Sequence, residues 1–384
     1  MSDAILKEQV WDVLYLAKCA VDGLTPDAER IQAMDLDAVW EISDKHALSS
    51  ACATALDSAG VRDERFIQAR GKAVRKMALM DAERKTLCSH LEEAGIWYLP
   101  LKGCVIQGLY PLYGMRQMCD NDILIDPSRR EDIRDIMLSM GFLCESFGKA
   151  GEDVYFKEPV CNFEMHCDLF GPANKKLYRY YADIARLLLP DGDSSYAKRL
   201  SDEDFYVYFL AHEYKHYMRF GIGLRSLLDT YVYLNAKSST MDWDYISTQL
   251  EQMDLTDFER SNRELALAIF STEGRDAVSP GQEKMLAYME TSGTYGSLDH
   301  KVGNLMSHHG RLGYLIDGAF PSFEEMAYEH PSLKRAPILL PFFWGQRLVW
   351  SIATKPQVVA YQLKAFFVQS DQDNEEKRAP SSDN

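Results

Sequence analysis

Asp120 and Asp122 stand two residues apart in Cys119-Asp120-Asn121-Asp122-Ile-Leu-Ile-Asp126. A short Ile- and Leu-rich run between turn formers predicts a strand over 120–126. Side chains on a strand alternate between faces, so both carboxylates fall on one face. Two ionised carboxylates that close repel each other, and a mostly buried strand tolerates them when a cation sits between. Oxygen ligands of this kind suit Mg²⁺, which usually also takes oxygens from a substrate phosphate. Residues 162–169 repeat the pattern, with Asn162, Glu164, His166 and Asp168 on one face and Phe163, Met165, Cys167 and Leu169 on the other. The apolar face can pack on a core while Glu164 is offered to the side of the Asp pair. There a third acid can complete a metal site or take a proton from an attacking hydroxyl. His166 reads either as the edge of that site or as a satisfied core residue.

Lys102-Gly103 ends a predicted strand (96–99) and opens a predicted helix (104–110). Amides at a helix start, a glycine that admits a phosphate and a lysine together make an anion cradle. Arg116, four residues before the Asp pair, reads either as a triphosphate ligand or as the partner of a protein acid. A competing motif is His212-Glu213-Tyr214-Lys215-His216, the H-E-x-x-H pattern in which two histidines one helical turn apart bind zinc and the glutamate activates water. Five residues with two free positions recur by chance, and Asp229 is the one candidate for a third ligand. Phe205, Phe209, His212 and His216 share one stripe, so the pair also reads as polar residues against the α/β core or facing the acidic cleft.

The elements that must position these groups follow the hydrophobic pattern. Residues 4–22 and 27–58 predict amphipathic helices, and 63–94 predicts a long one with Phe66, Met77, Met80, Leu87 and Leu91 on one side, Arg84 interrupting the stripe and Gly95 ending it. Residues 96–170 change to short strands around two helices, one at 128–140, followed by a strand at 142–147. From 175 to 367 nearly everything reads helical, including a helix opened by Ser201-Asp-Glu-Asp204 and a next one at 224–236. The expected divisions are a helical segment at 1–95, an α/β core at 96–174, a helical domain at 175–368 and a polar tail at 369–384 without fixed structure. His308-His309-Gly310 is expected to be a turn with no chemistry.

Together these residues resemble a known family, the uncharacterised bacterial nucleotidyltransferases of the DNA polymerase beta-like, MNT-type superfamily. The resemblance rests on Leu-Lys102-Gly103, Leu-Tyr110-Pro111, Gly114-Met-Arg116, Asp120-x-Asp122-x-Leu and Glu164-x-His166. It continues through His212-x-x-x-His216, Arg225-x-x-x-Asp229 and Leu340-Pro341-Phe-Phe-Trp344. It implies an α/β (α+β) nucleotidyltransferase core with a mixed sheet, flanked by an N-terminal helical segment and a large helical C-terminal domain. It further implies that Asp120, Asp122 and Glu164 hold two Mg²⁺ (or Mn²⁺) ions for transfer of a nucleoside monophosphate from an NTP, with ATP among the candidates, to a hydroxyl or similar acceptor, releasing pyrophosphate. The acceptor would be a small molecule, sugar, peptide or protein. Lys102, Gly103, Arg116 and Lys215 are the expected nucleotide ligands, and His166, His212, His216 and Arg225 the expected cleft wall. The superfamily's usual Gly-Gly or Gly-Ser opening is Lys102-Gly103 here, with Asp120 seventeen positions after Gly103. The alternatives are a zinc metallopeptidase built on His212, Glu213 and His216, and a nucleotide-binding or interaction protein without catalysis.

Composition narrows the partners. At 384 residues with 46% hydrophobic and 26% charged content, the chain has room for two or three packed units with an ordinary soluble composition. A net charge of −16 repels polynucleotide backbones and argues against nucleic acid. Eight cysteines without a C-x-x-C pair suggest neither a disulfide framework nor a zinc ribbon. The first residues lack a basic-then-apolar leader pattern, and no apolar run reaches bilayer length, so a cytoplasmic protein with no membrane partner is expected.

Overall fold

The computed structural model describes residues 8–149, 151–294, 296 and 318–354, with single positions 316, 356, 357, 359 and 360. The expected 369–384 tail, the His308-His309-Gly310 turn and the start of the first predicted helix lie outside the described residues. The chain divides into two compact units, one of residues 1–217 and 221–296, the other of 218–220 and 297–384.

In the first unit, α1 (Glu8–Asp22), α2 (Ala28–Ala33), α3 (Leu36–Lys45) and α4 (Ser49–Ser58) bury Val10, Leu14, Leu16, Val39 and Leu56 against one another. Asp27 and Asp35 cap α2 and α3 by accepting first-turn amides, which is why the predicted 27–58 segment breaks where it does. The long helix α5 (Glu64–Glu93) starts on an Asp63 cap and stops at Gly95, which adopts φ +67° as a left-handed terminator. Its apolar stripe, Met77, Met80, Leu87 and Leu91, packs on the sheet. Arg84, the interruption, donates to Asn121 Oδ1 at 2.9 Å.

The sheet holds β1 (Tyr98–Pro100), β2 (Asn121–Ile125), β3 (Leu143–Lys149), β4 (Glu152–Lys157) and β5 (Cys161–His166) in the order β1-β2-β5-β4-β3. Among the described strands of this sheet only β2 and β5 pair in parallel, with Asp122 opposite Glu164 and Leu124 opposite His166. The crossover between them carries α7 (Arg130–Ser139) and the β3–β4 hairpin. Alternation along the two parallel strands sorts the faces as the sequence predicts. Ile123, Ile125, Phe163 and Met165 enter the core under α5 and α7, while Leu124 joins the larger helical core on the opposite side. Asp122, Glu164 and His166 are therefore presented toward the helices that follow the sheet. The strand β4 was passed over in the sequence, since Glu-Asp-Val-Tyr-Phe-Lys carries only three apolar residues.

After the sheet come α8 (Lys175–Tyr181), a two-residue strand pair, α9 (Asp202–Arg219), α10 (Arg225–Lys237), α11 (Trp243–Gln252), α12 (Thr256–Ile269) and α13 (Pro280–Ser292). Ser201 accepts the Asp204 amide at 3.0 Å, the cap that the sequence predicts for α9. In the second unit, α14 (Phe323–Glu329) and α15 (Leu340–Thr354) meet around Met326, Ala327 and Leu333.

Candidate active site

Between β1 and β2 the chain makes a one-turn helix, α6 (Gly103–Ile106), then a loop through 110–120. Three neighbours pin this loop. Gly114 takes φ +77° and lies so close to α5 that a Cβ there would meet Val74 Cγ2 at 2.5 Å. Ser49 and the Ser50 amide donate to Gln117 Oε1, and Lys76 Nζ donates to the Cys119 carbonyl at 2.9 Å. From α10, Arg225 Nη1 donates to the Gln117 carbonyl at 2.8 Å. Asp120 is thereby delivered half-buried, one residue before β2 begins.

Asp122 is the centre of the cluster. Its Oδ1 accepts Lys102 Nζ at 2.5 Å and His166 Nε2 at 2.9 Å. One ligand atom from each of Asp122, Glu164 and His166 lies within 4.8 Å of the others, the group of metal-ligating type among the described residues. Glu152, at the start of β4, approaches His166 Nδ1 at 3.6 Å. Burial pushes the Asp122 carboxyl up, but Lys102 and His166 outweigh it and hold the group well below the usual carboxylate range. Glu164 goes the other way, pushed up to about 8 by burial and by the charges of Asp122 and Asp120. Asp120 is likewise raised, by burial and Asp122, with Lys102 and Arg225 pulling against them. Three acids share one lysine, and an excess of buried negative charge with oxygen and imidazole donors fits a divalent cation.

Lys102 sits at φ +46°, a left-handed conformation costly for a residue with a Cβ and often found at functional positions. The Leu101 amide donates to the Asp122 carbonyl at 2.9 Å, which ties this strained turn to β2. Two expected features change here. The amides of Cys104, Val105 and Ile106 bond back to the Leu101 and Lys102 carbonyls, so these three are spent within the turn. The space that Gly103 leaves open is filled by Arg116, whose Nη1 would lie 2.7 Å from a Cβ there. Gly103 is thus required for the packing of Arg116.

Arg116 is also reassigned. Its Nε and Nη2 donate to the two carboxylate oxygens of Asp229 at 2.8 and 2.9 Å, and Tyr110 Oη donates to Asp229 Oδ1 at 2.7 Å, all buried. This clasp fastens the 110–120 loop to α10, and the guanidinium edge is spent on a protein carboxylate. The resemblance motifs Tyr110, Gly114-Met-Arg116 and Arg225-x-x-x-Asp229 converge on one structural joint.

Above the acids, α9 presents His212, Lys215 and His216. His212 is kept neutral, its pKa driven well below the ordinary histidine value by burial and by Lys102, His216, Lys215 and His166 around it. His212 and His216 share a hydrogen bond between their Nε2 atoms at 3.0 Å, and Lys215 Nζ lies 5.9 Å from the Phe170 ring centroid. Tyr208, one turn earlier, is within electrostatic reach of Lys102, Asp122 and Glu164, and the sequence pattern did not single it out. Glu152 was missed with its strand.

Glu213 leaves the H-E-x-x-H pattern without its base. It is sealed among α9, α10 and α12, where Oε2 accepts from Asn262 Nδ2 at 3.1 Å and Thr230 Oγ1 at 3.5 Å. A water-activating glutamate must reach the metal's open position, and this one faces a protein core. Burial, and secondarily Asp229, raise its pKa well above the usual glutamate value, which favours the neutral acid in the fold. The folded state then binds a proton that the unfolded chain releases above the ordinary value, so Glu213 costs stability progressively as pH rises from about 4.5 toward its folded pKa, by up to about 1.4 kcal/mol per pH unit. Glu213→Gln removes that slope. Its melting temperature, compared with the parent chain by calorimetry, should gain steadily between mildly acidic and mildly alkaline pH, while a constant offset would show that Glu213 is ionised in the fold.

A mixed five-stranded sheet whose parallel pair sets an aspartate beside a glutamate and a histidine, under a helix bearing lysine and histidines, defines an α/β protein with a buried acidic cluster. A family model described as an uncharacterised nucleotidyltransferase matches residues 32–271, and the chain belongs to that family. The matched span runs from α2 to the end of α12 and takes in every residue of the cluster. A general role in nucleotidyl transfer comes with that membership. Neither curated proteins nor solved structures gave a match to this chain.

Proposed function

We propose that this chain transfers a nucleoside monophosphate from an NTP to a hydroxyl or similar acceptor on a small molecule or protein, using Mg²⁺ or Mn²⁺ and releasing pyrophosphate. The observation that carries the reading is the register Asp122 to Glu164 between parallel strands inside the family match. Asp122, Glu164 and His166 would hold the cation, with Asp120 adjoining. When bound, a divalent cation supplies Lewis-acid polarisation of the α-phosphate and neutralises its charge. Lys102 keeps Asp122 ionised in its buried position. Glu164, the acid whose proton affinity is nearest neutrality, is placed to accept the acceptor's proton. Lys215, with His212 and His216, forms the wall toward which the phosphates face, and Arg225 steadies the Asp120 loop.

Calorimetry with each NTP tests this directly. Binding should require Mg²⁺ or Mn²⁺ and vanish in the Asp120→Ala/Asp122→Ala double variant, and binding unchanged in that variant would overturn the assignment. Glu164→Gln then separates two jobs. If the residue is chiefly a ligand, cation affinity falls. If it is chiefly a base, affinity holds and turnover drops by about 10²–10⁴-fold, the usual contribution of a positioned base.

A further inference from the structure

In the second unit, α15 carries its apolar residues on both faces. Leu340, Phe343 and Trp344 pack on Met326, Ala327 and Leu333, with Trp344 Nε1 donating to the Pro321 carbonyl at 3.0 Å and Phe343 stacked on His330 at 4.4 Å between centroids. The opposite face is bare. Ile338, in the turn just before the helix, and Phe342 and Val349 within it are 88%, 65% and 69% exposed, and Ile352 and Trp350 are exposed beside them. Positions 338, 342, 349 and 352 recur at helical spacing and share one face, with Gly345 and Gln346 at the turn between 342 and 349 and no charged side chain interrupting it. A contiguous exposed apolar stripe of this kind marks an interaction surface.

The charge pattern selects the partner. From Pro331 to Ser370 the sequence contains Lys334, Arg335, Arg347, Lys355 and Lys364 and not one Asp or Glu, in a chain whose net charge is −16. Lys334 and Arg335 are exposed and immediately precede the stripe, so cations stand at the N-terminal end of an apolar face. A second copy of the chain would bring the same positive charges together. A surface anionic on top and apolar beneath satisfies both features at once. Among the described residues no helix is long and apolar enough to cross a membrane, and α15, about 22 Å long, is short of the roughly 30 Å hydrocarbon core. It has the length and side chains to lie in the interfacial plane, with Trp and Phe at headgroup depth.

We propose that α15 is a peripheral docking helix for membranes containing anionic lipid. This replaces the expectation of no membrane partner and is independent of the nucleotidyl-transfer reading. The full chain should co-sediment with phosphatidylcholine vesicles containing phosphatidylglycerol, only weakly with phosphatidylcholine alone, and less at high salt. Phe342→Ser with Val349→Ser should weaken partitioning by about tenfold or more, and Lys334→Glu with Arg335→Glu should weaken it while leaving the apolar face intact. Circular dichroism of each variant should match the parent, since the replaced side chains are exposed. Three results would overturn the proposal: no partitioning into anionic vesicles, equal partitioning of the parent and both variants, or a dimer in sedimentation velocity that the Phe342→Ser/Val349→Ser variant converts to monomer.

Discussion

Replacing Asp122 with Asn should abolish cation-dependent nucleotide binding and destabilise the fold together. The side chain is almost fully buried, accepts both Lys102 and His166, and lies in register with Glu164. Asn keeps the shape and removes the charge. On the proposed reading the cation loses the acid that is most firmly ionised, while Lys102 is left with a diminished counter-charge in a buried position. Breaking a buried pair by removing one partner costs about 3–5 kcal/mol, and the partial exposure of the lysine side chain places the expected loss at or below the lower end. The two effects come apart in a double variant. Lys102→Met with Asp122→Asn leaves neither charge, so the melting temperature should recover most of the loss while nucleotide binding stays absent. Calorimetric titration and thermal melts of the two variants read these separately. Nucleotide binding that survives in Asp122→Asn, or returns when Lys102 is also replaced, would show that Asp122 does not hold the cation.

How much of this was legible in the sequence depends on the range of the forces involved. Period-two alternation in 120–126 and 162–169 located both parallel strands and put Asp122, Glu164 and His166 on one face, because which face a side chain takes is a local property. The caps of α5 and α9 were legible for the same reason. The partner that each charged group chooses was not legible. Lys102 and Arg116 were both candidate phosphate ligands, since a basic residue near a glycine and an acid pair is chemically suited to that role. The fold gives Lys102 to Asp122, 20 positions away, and Arg116 to Asp229, 113 positions away. Gly103 reads as an anion seat by type alone, and only the packing of Arg116 against it shows what its missing side chain admits. In the same way H-E-x-x-H is satisfied by spacing, yet Thr230 and Asn262 draw Glu213 to the other side of α9. The strand β4 escaped because its residues alternate weakly and its place is set by pairing with β3 and β5.

Asp229→Asn is expected to be the most destabilising single change outside the acidic cluster, and it decides whether the Tyr110, Arg116 and Asp229 pattern is architecture or chemistry. The carboxylate takes two bonds from the buried guanidinium of Arg116 and one from Tyr110, so its neutralisation strands a buried cation and leaves a hydroxyl with a poorer acceptor. A loss of about 3–5 kcal/mol follows from that stranded charge, equivalent to a fall in melting temperature of roughly 10 °C for a domain of this size. Tyr110→Phe, which removes one donor to a charged acceptor, should cost about 1–3 kcal/mol. Arg116→Met combined with Asp229→Leu removes both buried charges and should be markedly more stable than the sum of the single losses, the coupling expected of residues in contact. Nucleotide binding supplies the discriminating readout. If the clasp is structural, Arg116→Met melts early yet binds NTP with parental affinity at temperatures where it remains folded. Parental stability with lost NTP affinity in that variant would return Arg116 to the phosphates and require the guanidinium to leave Asp229 when substrate arrives.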